Sequence, residues 1–134
     1  MSSRRLTSAL FLAVLFTSPA WAATDVPIGE EHTGKITWYT DKGYGACGTK
    51  IDASSQNLAA VSSKWFSSSN RNNDPVCKGV SVRVSYNGKS ITVPVVDECP
   101  SCDREHVDLS LPAFSALADP DDGVVQGVTW SFVR

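Results

Sequence analysis

Four cysteines, Cys47, Cys77, Cys99 and Cys102, are the side chains of this 134-residue sequence with the most chemistry to offer. Thiols at these spacings have three uses. A Cys-x-x-Cys pair such as Cys99 and Cys102 can form a dithiol redox centre, but that use goes with a helix in a βαβ pattern, and the residues after Cys102 do not read that way. Four cysteines can hold zinc, yet structural zinc sites normally show two Cys-x-x-Cys pairs. Only one pair exists here, so His106 reads as structural and neither a metal nor another cofactor is expected. The third use is covalent stapling. Three pairings are open to four cysteines. The favoured one joins Cys99 to Cys102 around Pro100-Ser101, and Cys47 to Cys77, whose loop of about 30 residues would remove roughly 3 to 4 kcal/mol of unfolded-state entropy.

Stapling requires an oxidising compartment, and the N-terminus supplies the route. Arg4 and Arg5 precede the apolar run Leu10 to Phe16, then Pro19 and the small-x-small triplet Ala20-Trp21-Ala22. This pattern reads as a secretory signal peptide over residues 1–22. The apolar run is under half of the about 20 residues needed to cross a bilayer, so no membrane anchor is expected. No cysteine stands directly after the triplet to accept a lipid. The chain from Ala23 onward is expected to be exported, soluble and one domain long.

The full chain carries 12 basic and 14 acidic side chains. Without Arg4 and Arg5 the balance is ten against fourteen, a net charge of −4. Such a surface argues against nucleic acid or anionic membrane as a partner, because both need basic surface to release counterions. A domain of this size buries only about two-thirds of its unfolded surface, which gives the staples something to contribute.

The elements that must position these groups are mostly strands. After a flexible arm over residues 23–32, Gly34 to Tyr39 is β-branched and aromatic and reads as a strand. Asp41 to Gly48, with three glycines, reads as a structured loop. Asn57 to Ser62 reads as a short buried strand, and Ser67 to Asp74 as an exposed polar loop with Trp65 and Phe66 at its edge. Val80, Val82 and Val84 alternate with Ser81, Arg83 and Ser85 before Asn87-Gly88, the favoured two-residue hairpin turn. The return strand, Ser90 to Val96, contains Pro94, which cannot donate to a ladder and belongs at an edge or bulge. Ser110 to Ala118 reads as the one helix, with Ser110 as N-cap, Pro112 in the first turn, and Phe114 and Leu117 facing inward. Gly127 to Val133 alternates again as a closing strand. Short strands, one late helix and glycine-rich turns indicate a mainly β fold, a small closed barrel.

Thr37-Trp38-Tyr39, Gly45-Ala46-Cys47-Gly48, Val95 to Cys102, His106 to Ser110 with Phe114, and Gly127 to Trp130, taken in that order, resemble the double-psi β-barrel superfamily. This superfamily includes expansins, barwin-like and kiwellin-like proteins and rare lipoprotein A domains. The resemblance covers residues 33–134 and implies a six-stranded barrel. Within the superfamily the chain is similar to the bacterial secreted papain inhibitors. That similarity rests on Val26 to Gly29, Asp41 to Gly48, Asn72 to Cys77, Gly79 to Val82, Cys99 to Asp103, and Gly123 to Val125 with Val128 to Trp130.

The resemblance implies two different functions. As an inhibitor of papain-like cysteine proteases, the chain would act reversibly and as a monomer, docking loops of a rigid barrel into the protease cleft. Such enzymes prefer a bulky apolar residue beside the cleavage point, which makes Ile28, Tyr44, Trp65 and Phe66 the contact candidates. Trp65 and Phe66 have a second reading, in which they pack under their own loop. As a wall-polysaccharide protein, the chain would use Asp41, in Tyr39-Thr40-Asp41, and Asp108, in His106-Val107-Asp108. Glycoside cleavage takes a raised-pKa acid and a second carboxylate. Asp108 bracing the helix, and Asp41 capping a loop, are the structural readings of the same residues.

Overall fold

The computed structural model describes residues 26–134; the expected signal peptide and the first residues of the expected arm lie outside them. Six strands close a barrel in the order β1-β7-β4-β6-β5-β8. They are β1 (His32–Tyr39), β4 (Ala59–Ser62), β5 (Ser81–Tyr86), β6 (Lys89–Cys99), β7 (Val107–Ser110) and β8 (Val125–Val133). β2 (Lys42–Tyr44) and β3 (Lys50–Asp52) form a separate two-stranded hairpin outside the barrel. Two pairings are parallel, β1 with β7 and β4 with β6, and the others are antiparallel.

The valine alternation sets β5 in register. Val80, Val82 and Val84 are buried, and Val82 and Val84 pair with Phe132 and Trp130 of β8, while Arg83 is exposed. Asn87 and Gly88 both take positive φ, 49° and 76°, as the tight turn between β5 and β6 demands. β6 runs on to Cys99, beyond the expected end at Val96. Pro94 is the last residue paired with β5, at Ser81, immediately before β6 takes up β4 and bulges between Val95 and Asp97. A residue with no N–H suits that change of partner.

The helix is shorter than expected. α1 spans Leu111–Ser115, with Pro112 in its first turn and Phe114 buried; Leu117, just past its end, is buried too. Ser110 stands at the N-cap position without capping, because its hydroxyl accepts from the Leu58 N–H at 3.1 Å and ties β7 to the entry of β4. Residues 26–32 are also not a free arm: Val26 is buried, the Gly29 N–H donates to the Phe132 carbonyl at 2.8 Å, and β1 already begins at His32. Apolar burial of Val26 is what fastens this segment.

Both favoured disulfides form, Cys47–Cys77 and Cys99–Cys102. Asp74, expected in an exposed loop, is fully buried and accepts from the N–H groups of Ser67 and Ser68, each at 2.7 Å, and of Val76 at 3.1 Å. This carboxylate holds the polar loop closed onto the segment that carries Cys77.

Candidate functional site

Strand register brings the acids together. Ala60 of β4 stands beside Asp97 on one side and Asp108 on the other, and Asp108 stands beside Thr37 of β1. Asp97 and Asp108 are therefore two strand spacings apart, about 10 Å between Cα atoms. Tyr39 lies against Ala60 and the Cys99–Cys102 staple. Its hydroxyl donates to Asp97 Oδ2 at 3.0 Å.

The two aspartates differ in their partners. Asp97 Oδ1 accepts from the N–H groups of Ala46 and Glu98, both at 2.9 Å, so Asp97 is a clamp on the backbone leading into Cys47. Burial, with the Asp97 carboxylate beside it, holds the Tyr39 phenol far above its ordinary range, so Tyr39 stays a donor. Asp108 accepts from Thr37 Oγ1 at 2.9 Å. That leaves the Thr37 oxygen to accept from His106 Nε2, 2.7 Å away. Burial pushes the Asp108 carboxyl up to about 6, the Thr37 bond opposes this, and the charges of Asp41 and Asp97 add to it. Burial and the nearby Lys35 ammonium lower the His106 imidazole. Asp41 is exposed at the end of β1. Thr37 and Tyr39 join this group through the register of β1, β4 and β7, which spacing along the sequence does not display.

The expected protease contacts separate into two kinds. Tyr44 is 81% exposed and Ile28 is 42% exposed. Phe66 is buried in the core with the Arg71 guanidinium 5.1 Å over its ring, which removes it as a contact candidate. Trp65 is half-buried: its indole N–H donates to the Arg104 carbonyl at 2.7 Å, its ring packs edge-on against His32 and Phe132, and the Arg104 guanidinium covers it at 4.0 Å. Phe66 lies under Arg71 of its own loop, whereas Trp65 packs against β1 and β8 instead of under that loop.

Tyr44 sits where the chain is most firmly held on one side. The Gly45 N–H donates to the Thr49 carbonyl at 2.9 Å, the Cys47 N–H to the Val96 carbonyl at 3.2 Å, and Cys47 is bonded to Cys77. A Cβ at Gly45 would collide with the Val96 carbonyl oxygen, so only glycine lets the loop lie this close to β6. Ile28 lies apart on the N-terminal segment, bridged to Phe132 of β8.

With this geometry the chain can be set beside known proteins. The profile of the double-psi barrel family described as lytic transglycolase matches residues 31–130. The chain belongs to this family. Among curated proteins it is 65% identical over 113 residues to the "Papain inhibitor" of Streptomyces mobaraensis, an alignment covering 84% of this chain and 79% of the relative. The solved Streptomyces papain inhibitor matches with a TM-score of 0.81, over 82% of this chain and all of that one. A more distant member, a Clavibacter michiganensis expansin in complex with cellohexaose, is 26% identical with a TM-score of 0.62, over 78% of this chain and 51% of that one.

Proposed function

We propose that this chain is an exported, monomeric inhibitor of papain-like cysteine proteases that acts without catalysis, by reversible docking. The observation that carries this reading is the 65% identity to the Streptomyces papain inhibitor, sustained over the whole of that solved chain. The structure offers what such docking needs, an exposed aromatic on a backbone already fixed by a disulfide, so little conformational entropy is lost on binding. With all four cysteines paired, no thiol is available for a covalent trap. Papain titrated with the purified chain loses its cleavage of a small fluorogenic peptide; unchanged activity at a large molar excess overturns the reading.

A second reading, binding or cleavage of wall polysaccharide, is favoured by one observation: Asp108, raised to about 6, stands beside Thr37 on a barrel similar to an expansin solved with cellohexaose. It predicts retention of the chain on insoluble cellulose or peptidoglycan, or release of soluble sugar, lost in Asp108→Asn. Equal behaviour of parent and variant assigns Asp108 to structure.

A further inference from the structure

The pairing pattern of the hairpin shows which of its backbone groups are left over. The register joins Lys42 to Asp52, Gly43 to Ile51 and Tyr44 to Lys50. At its two ends, the Gly45 N–H donates to Thr49 and the Ala53 N–H to Asp41. Hydrogen-bonded and non-hydrogen-bonded pairs alternate along an antiparallel ladder. The pairs at Asp41, Gly43 and Gly45 are therefore the bonded ones, and Lys42 and Tyr44 turn their N–H and C=O groups away from β3. β2 has no second strand neighbour among the described residues, so these groups form an open edge. Nothing lies within contact of the bare Cα face of Gly43. Tyr44 thus presents together an apolar ring, a main-chain donor and a main-chain acceptor.

Immediately beyond it the chain leaves the surface. Gly45 is buried, Ala46 gives its N–H to Asp97, and Cys47 is fixed to both Val96 and Cys77. We infer that the free edge of β2 is the inhibitory segment. It adds as a strand to the extended-peptide site of a papain-like protease, with Tyr44 in the apolar pocket beside the cleavage point, while the turn at Gly45 withdraws the next peptide bonds from the nucleophile. Strand addition of this kind takes affinity from main-chain bonds and selectivity from the side-chain pocket. The inference rests on the inhibitor reading and names the surface that carries it.

The test titrates papain with the parent chain, Tyr44→Ala and Tyr44→Phe, and follows amide hydrogen exchange of the parent alone and saturated with inactivated papain. A buried aromatic anchor at an interface typically sets about a 30-fold or larger change in affinity, so Tyr44→Ala should weaken inhibition by that order while Tyr44→Phe keeps it. The amides of Lys42 and Tyr44 should exchange fast in the free chain and slow in the complex, and the chain should be recovered uncut. Equal inhibition by the parent and Tyr44→Ala, unprotected edge amides in the saturated complex, or cleavage between Tyr44 and Ala46 overturns the hairpin assignment while leaving the inhibitor reading standing. A parent that does not inhibit papain overturns both.

Discussion

The carboxylate face and the β2–β3 hairpin differ in what they leave unpaired. On the face, Asp97 is occupied by two backbone N–H groups and the Tyr39 hydroxyl, and Asp108 by Thr37. On the hairpin, an aromatic side chain and the main-chain groups of Lys42 and Tyr44 point to solvent. A polar group that is already satisfied stabilises the fold, whereas one held in place and unsatisfied is available to a partner. The acids attract attention by residue type, yet by partner count Asp97 belongs to the scaffold that holds Ala46 and hence the hairpin's exit. On the inhibitor reading proposed above, the face would be a support and the hairpin the working surface.

The largest expected effect comes from the staple that joins this scaffold to the hairpin. Replacing Cys47 and Cys77 with serine opens a loop of sequence separation 30. It should lower the unfolding free energy by about 3–4 kcal/mol in a denaturant titration. Inhibition should weaken with it, because Tyr44 would have to be ordered on binding. Inhibition that survives full reduction would show that the hairpin holds its shape without the staple.

Next in size is Asp74→Ala, which strips three backbone N–H groups of a buried acceptor and should cost about 3 kcal/mol of stability. Since Asp74 braces the segment carrying Cys77 and not the hairpin itself, the remaining folded protein should still inhibit. A loss of inhibition beyond the loss of folded protein would extend the working surface to the polar loop.

Asp108 sharpens the comparison through pH. Its folded carboxyl is raised from 3.8 to about 6, so between these values the folded state binds more protons than the unfolded one. Its stabilising contribution is present below pH 4, is lost as pH rises from about 4 to about 6, and is flat above. Asp108→Asn should remove that fall and, because the group is partly solvated, raise stability at pH 7 by only about 1 kcal/mol, measured as a shift in denaturation midpoint. Papain inhibition should not change. Loss of inhibition in this variant would move the protease contact onto the carboxylate face.

These contrasts were unevenly legible in the sequence. The valine alternation and Asn87-Gly88 marked the β5–β6 hairpin because period two and a left-handed turn are local signals. The cysteine pairing was legible as well. β7 was not: Val107 to Ser110 is four residues long, and its burial comes from β1 and β4, distant in sequence. The β2–β3 hairpin read as a loop because only Ile51 of its six residues is buried, so no alternating pattern marks it. Phe66 and Trp65 border a polar stretch, which leaves exposure and packing both open; the guanidinium covers that decide it, Arg71 and Arg104, are supplied by the fold. Which side of β2 keeps its main-chain groups free depends on register, and no composition encodes it.

The smallest expected effect on the fold belongs to the residue with the largest expected effect on binding. Tyr44 is 81% exposed and, among the described residues, its side chain makes no hydrogen bond. Its removal exposes no cavity and orphans no buried group. Tyr44→Ala should therefore leave the denaturation midpoint within about 0.5 kcal/mol of the parent, the range of ordinary surface substitutions. A clearly larger loss would mean that the ring packs down in solution and helps hold the hairpin, which would make it part of the scaffold. A neutral result combined with lost inhibition would separate the two regions by function: Asp97 and the staple fix the hairpin in place, and Tyr44 leaves its ring and open edge free for a protease.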